Sequence, residues 1–225
     1  MSLFKKILIV AATEEEIKPT KELLLAGTAL ANSQQLYWLV TGPGIAATCF
    51  ALAQYLAAEK PDIIINAGIA GSFNHDLKLG QVVLTKRDTF CDFGAQDDQE
   101  FIHAFDLPIA DKNKFPFNDG WLNYHQDLIT YLPLSRVTAI TSDTGHGNEA
   151  HIQRLTLYYN PDIETMEGAA VAYCAGMYSI TAISVRAISN YVEKRNRAAW
   201  EVNLAIENLN HDLLKILVHI CALNN

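Results

Sequence analysis

Apolar residues fall along the chain in short blocks separated by polar or glycine-containing turns, and the spacing inside each block predicts an element. Leu3-Phe4-Lys5-Lys6-Ile7-Leu8-Ile9-Val10 predicts a first strand. Thr13 followed by Glu14, Glu15 and Glu16 predicts a helix N-cap with an acidic first turn that suits the helix dipole. Leu36 to Val40 predicts a second strand, Thr41-Gly42-Pro43-Gly44 a turn, and Ile45 to Ala58 an Ala-rich helix that stops before Pro61. Ile63-Ile64-Ile65 shows no polar alternation, as a strand covered on both faces requires, and runs into Ala67-Gly68-Ile69-Ala70-Gly71. Gln81 to Thr89 and Ser135 to Thr141 predict further strands, and Val171 to Met177 lies in a helix. The apolar run Ile180 to Ile188, with Arg186 inside it, ends in Ser189-Asn190. Arg197 to Ala222 predicts one long amphipathic helix whose core side carries Trp200, Leu204, Leu213, Leu214, Leu217 and Val218. This alternation of element types predicts an α/β fold of three layers, a central mixed β-sheet flanked by helices.

Between these blocks, Cys91 to Tyr131 carries Phe93, Phe101, Phe105, Phe115, Phe117, Trp121 and Tyr124 among Asp and Pro residues, without a clear period. Two readings stand: a surface excursion with its own small cluster, or a lid or interface segment that helps to enclose a ligand. No repeat or low-complexity tract marks a linker, so residues 1–225 are expected to form one domain. With 50% of its 225 residues apolar, that domain can bury a full core. The formal net charge of −8, with no basic run, argues against a nucleic-acid partner. No apolar window has the length of a membrane span and Ile7 to Ala12 is too short for a signal core, so the expectation is a cytoplasmic protein without membrane contact. Cys49, Cys91, Cys174 and Cys221 are scattered, with neither metal-ligand spacing nor the density of a disulfide framework, which predicts buried thiols and no metal site. Cys174 has no visible His and carboxylate partners and is not expected to act as a nucleophile.

Three polar residues stand where strands meet loops or helices, the place where open α/β sheets bind ligands: Glu16, Glu167 and Asn190. Each has a plain alternative. The Glu14 to Glu16 triplet could serve the helix dipole alone, Glu167 could be a solvated first-turn residue, and Asn190 could bond its own backbone in a turn. The joint pattern favours chemistry.

Ile7 to Glu16, Ile64-Ile65-Asn66-Ala67-Gly68-Ile69-Ala70-Gly71, Thr165-Met166-Glu167 and Arg186-Ala187-Ile188-Ser189-Asn190 resemble, in that order, the blocks of nucleoside phosphorylases and nucleosidases. The methylthioadenosine/S-adenosylhomocysteine nucleosidases are among them. The resemblance runs over essentially the whole chain. It implies a nucleoside phosphorylase-like fold, a small-molecule nucleoside substrate, cleavage of the N-ribosidic bond of a purine nucleoside, no cofactor, and a homo-oligomer. By position it makes Glu16 the carboxylate that activates water, and Glu167, with Met166 and Thr165, the ribose contact. Such chemistry needs these types: the breaking bond gives the ribose oxocarbenium character, which a carboxylate beside the sugar hydroxyls stabilises, while a second carboxylate aligned with water serves as general base.

Departures from the relatives refine this expectation. Around the Gly68-Ile69 turn, phosphorylases resemble one another in holding phosphate with an Arg and a hydroxyl residue, where this chain has Asn66 and Ile69. Neither replaces an Arg fork, which favours water as nucleophile unless an Arg from elsewhere, a neighbouring subunit included, takes the place. Asn190 stands where adenosine-type nucleosidases have Asp. An amide offers a donor to a 6-oxo group and an acceptor to N7–H, so it implies hypoxanthine as the leaving base. Relatives have an aromatic residue over the base where this chain has Gly145, with His146 beside it as a candidate base contact. Asn190 followed by Tyr191 to Trp200, with Arg195 and Arg197, most resembles the futalosine hydrolases, which release hypoxanthine from futalosine on an alternative bacterial route to menaquinone. Their substrate carries a benzoate-like 5′ group. Arg195 and Arg197 are candidates for its cation, and Phe93, Phe115, Phe117 and Trp121 for its apolar walls, with surface solvation and core packing as the respective alternatives.

Overall fold

The computed structural model describes residues 4–26, 35–98 and 100–222. Leu3, expected at the start of the first strand, lies outside the described residues. The chain begins with β1 (Lys6–Ala11), α1 (Glu14–Leu25), β2 (Gln35–Val40), α2 (Ile45–Ala58), β3 (Ile63–Ser72) and β4 (Val82–Asp88). A hairpin of β5 (Gly94–Asp97) and β6 (Glu100–His103) comes next, then β7 (Leu122–Asn123), β8 (Ser135–Thr141) and α3 (Glu149–Tyr159). The last elements are β9 (Ile163–Thr165), α4 (Gly168–Met177), β10 (Thr181–Tyr191) and α5 (Val202–Ala222).

The sheet is mixed, as expected, but it also curls. β3 pairs in parallel with β1 and β10, and antiparallel with β9; β10 pairs antiparallel with β4, which runs parallel to β8, itself parallel to β9. These contacts close a ring of five strands, with β1 and β2 continuing beyond β3. Two-residue periodicity sorts β1 between the layers: Ile7 and Ile9 join Ile17 of α1 and Leu209, Leu213 and Leu217 of α5, whereas Leu8 and Val10 join Leu52 and Leu56 of α2 and Ala169 of α4. Burying each such Leu or Ile contributes roughly 1.5–3 kcal/mol.

Two expectations need correction. The last helix starts at Val202, not Arg197: Arg197–Ala199 form a short 3-10 turn, and the Glu201 N–H donates to Ser189 O at 2.8 Å, which ties the chain to the end of β10 before the helix begins. The true core face of α5 is Ala205, Leu209, Leu213, Ile216, Leu217 and Ile220, while Leu204 and Val218 are exposed. The aromatic segment from Cys91 to Tyr131 packs on itself and on α3 and α4. Phe117 meets Phe90, Phe105 and Tyr173, and Trp121 lies between Arg87 and Tyr159.

Candidate active site

The ends of β1, β3, β9 and β10 meet at a cavity of about 760 Å³ lined by Thr13, Glu16, Ile69, Gly145, His146, Glu164, Thr165, Met166, Glu167, Asn190, Arg195 and Trp200, among others. That volume suits a small organic ligand. Most of the expected site residues therefore come together. Gly68 and Arg197 do not line the cavity, nor do Phe93, Phe115, Phe117 and Trp121; the apolar wall is built instead by Ile69, Trp200, Val202 and Ile206. The aromatic segment is held away by its own ring contacts, and Arg197 is carried outward by the 3-10 turn. Asn66 points away as well, its amide donating to the Tyr124 hydroxyl at 3.4 Å.

Glu16 is placed by its own helix. It is the third residue of α1, and its Oε2 accepts from the N–H and hydroxyl of Thr13 at 2.9 and 3.1 Å, the reciprocal half of a capping box. Its Oε1 accepts from the Ile69 N–H at 3.0 Å. The carboxylate is buried yet bordered by the cavity.

Arg186 completes this corner. It sits opposite Gly68 in the parallel register of β10 and β3, and its guanidinium crosses the glycine: a Cβ there would collide with Nη1 of Arg186 and lie 2.9 Å from Oε1 of Glu16. Gly68 is needed because cation and carboxylate converge over its α-carbon. The guanidinium is buried, and its Nε and Nη2 have no hydrogen-bond partner among the described residues. Sequence reasoning noted Arg186 as an interruption of an apolar run and as part of a family block, but gave it no role; a lone Arg inside an apolar strand was itself the signal, because a buried cation demands a polar neighbourhood.

Glu167 takes the N-cap position of α4, but its side chain does not cap that helix; Oε1 reaches across to accept from the Gly44 N–H at 3.0 Å. At 8% exposure it is not the solvated first-turn residue of the alternative reading. Burial pushes its carboxyl above the usual range, opposed by Arg186 and the Gly44 N–H and reinforced by Glu16.

Asn190 lies just past a register shift in β10. The Ser189 hydroxyl donates to its Oδ1 at 2.8 Å, and its Nδ2 donates to Tyr191 O at 3.1 Å, which fixes the amide orientation and leaves one N–H and one acceptor lone pair free. Glu164, which sequence reasoning missed, lies beside it: a Cβ on Gly71 would be 3.2 Å from both Asn190 Nδ2 and Glu164 Cγ. The Glu164 carboxylate accepts from the His146 N–H at 3.1 Å and meets Nδ1 of its ring at 2.8 Å, so it sets the ring's orientation at the cavity wall. Arg195 lies over Trp200, its guanidinium carbon 5.3 Å from the ring centroid.

Two buried carboxylates with a cation between strand ends, a free amide edge and an apolar wall make this cavity the candidate ligand site of an α/β protein. The family model of the Phosphorylase superfamily matches residues 6–222, and the chain belongs to that family. The futalosine hydrolase of Thermus thermophilus is 25% identical over 183 residues, 80% of each chain, and that of Acidothermus cellulolyticus 29% over 187 residues, 77% of this chain and 71% of the relative. Among solved structures, a 5′-methylthioadenosine/S-adenosylhomocysteine nucleosidase of Helicobacter pylori superposes with a TM-score of 0.78 at 18% identity, covering 95% of this chain and 98% of the other. This last likeness is one of fold.

Proposed function

We propose that this protein is an N-glycosyl hydrolase that cleaves futalosine to hypoxanthine and dehypoxanthine futalosine, a step on the futalosine route to menaquinone. The observation that carries hydrolysis is the Glu16 carboxylate on the Ile69 N–H, opposite Arg186 across Gly68. A phosphate placed at this turn would meet the Glu16 carboxylate, already held by three donors, and like charges repel. Water suffers no such penalty. Glu16 accepts its proton as general base, and Glu167 faces the ribose hydroxyls and the positive charge that develops as the bond to the base breaks.

Asn190 supports a 6-oxopurine leaving group, because its free N–H suits O6 and its free lone pair suits the N7–H that the base gains from solvent as its bond to C1′ breaks, the proton that Glu16 takes from the attacking water returning to solvent. A 6-amino group would set donor against donor there, a mismatch that excluded water cannot relieve. At the far end, Arg195 against Trp200, with Val202 and Ile206, offers one cation on an apolar wall, which fits a benzoate-like 5′ group. The futalosine hydrolase relatives support the same reading. A homo-oligomer belongs to this proposal, since relatives of this family commonly complete their pockets across a subunit interface.

The purified protein incubated with futalosine, inosine and methylthioadenosine, with and without phosphate, tests it by the base released. The expected product is hypoxanthine from futalosine without any phosphate requirement. Adenine from methylthioadenosine as the dominant product, or an absolute need for phosphate, overturns it.

A further inference from the structure

Glu167 occupies the N-cap of α4, yet its carboxylate is turned away toward Gly44 and the cavity, so the first N–H groups of the helix must be satisfied by other residues. The Gly168 N–H donates to the Thr165 hydroxyl at 3.0 Å and the Ala169 N–H to the Thr141 hydroxyl at 2.8 Å, and the two hydroxyl oxygens are 2.9 Å apart. Both terminate on Asp88. The Thr141 Oγ1 lies 3.0 and 3.1 Å from its two oxygens, and the Thr89 N–H anchors Oδ1 at 2.8 Å. Proton accounting gives this chain one direction when Asp88 is ionised: Thr141 has a single hydrogen, which goes to Asp88, so Thr165 donates to Thr141. Gly168 is the helix's first residue because Asp88 takes the place of its side chain, Oδ2 colliding with any Cβ there.

We propose that Asp88 is a positioning residue for the ribose carboxylate: through Thr141 and Thr165 it caps α4 from the opposite strand and so leaves Glu167 free to face the substrate. The inference rests on the ribose role of Glu167 proposed above. Asp88 is 1% exposed, and no part of it lines the cavity. It is therefore not a catalytic residue; its effect reaches the substrate only through the Thr165-Met166-Glu167 turn. Its electrostatic surroundings are consistent with this place. Burial pushes its carboxyl up to about 7, opposed by the Thr141 hydroxyl, Arg186 of β10 and the Thr89 N–H, and reinforced by Glu167; Tyr124 and Cys91 also face it. A neutral carboxyl keeps the chain of hydroxyls intact by reversing its direction, so the cap holds in either protonation state.

The test compares variants that keep the connectivity with variants that break it. Thr141→Ser and Asp88→Asn keep a hydroxyl or a polar fork in place; Thr141→Val and Asp88→Ala remove it. For each, kcat/KM is measured on inosine and on 2′-deoxyinosine and 3′-deoxyinosine, and hydrogen exchange is followed at the first turn of α4. The breaking variants are expected to lower the preference for inosine over the deoxy analogue that lacks the Glu167 contact by at least about tenfold, the worth of one hydrogen bond to a charged group, and to speed exchange at Gly168 and Ala169. The conserving variants should keep both. General destabilisation would lower turnover on all three substrates together and leave the preference unchanged, and that result overturns the proposal, as does unchanged exchange in Thr141→Val. Wild-type protein that releases no base from futalosine or inosine overturns the functional reading instead, while the exchange data still decide whether Asp88 caps α4.

Discussion

The N-termini of α1 and α4 each present a buried carboxylate to the same cavity, but they hold it in opposite ways. At α1, Glu16 is part of its own helix cap: the residue that faces the cavity is also the one that satisfies Thr13. At α4, Glu167 stands in the cap position and does not cap; that work passes to Thr141 and Thr165, backed by Asp88. A carboxylate tied into a local cap is fixed by four consecutive residues, which suits a base that must point one way. A carboxylate released from its cap can meet ligand hydroxyls with both oxygens, at the cost of a supporting network elsewhere.

The contrast is most sharply broken by chemistry. Glu16→Gln keeps one acceptor oxygen, for Thr13 or for Ile69, turns an NH2 donor to the other and cannot take a proton, so kcat should fall roughly 10²–10⁴-fold with the circular dichroism spectrum unchanged. Near-normal turnover in that variant removes Glu16 as base. Glu167→Gln should lower kcat/KM by roughly 10²–10³, as loss of a preorganised electrostatic contact does, without lowering the melting temperature, because α4 does not rely on that side chain for its cap. A clear loss of stability there would show that the two helices are capped alike.

A third measurement uses pH. An acid whose carboxyl is raised in the fold, as that of Asp88 is to about 7, holds its proton more tightly folded than unfolded. Its contribution is complete below the ordinary aspartate range and is lost as pH rises through about 7. Wild type should therefore lose several degrees of melting temperature relative to Asp88→Asn between pH 5 and pH 8, roughly in line with one strongly shifted group. A gap that stays constant over this range would place Asp88 outside the titrating network. The smallest effect belongs to the local cap itself: Thr13→Ala should cost about 1 kcal/mol in denaturant unfolding and loosen Glu16.

Much of this was legible in the chain. The bounds of α2 and β8 follow from apolar blocks and from Gly and Pro punctuation, and the Thr13-to-Glu16 spacing announces a cap because both partners lie within one helical turn. Thr165-Met166-Glu167 and Asn190 stood out by sequence alone, and both reach the cavity. The start of α5 was misjudged, and the aromatic segment kept two open readings until its self-packing was seen, because aromatic content and amphipathic spacing say that a residue will be buried, not against what.

Sequence by itself marked most of the strands and helices, set Arg186 inside an apolar strand, and put Glu16 in the first turn of a helix capped at Thr13. Only the tertiary structure decided that Arg186 lies across Gly68, that Glu164 stands beside Asn190, and that Asp88, 53 positions from Thr141, supports the turn of Glu167. The reason is physical. Periodicity and capping are governed by contacts within a few residues, whereas these partnerships are set by the register between strands distant in the chain, which no local pattern encodes.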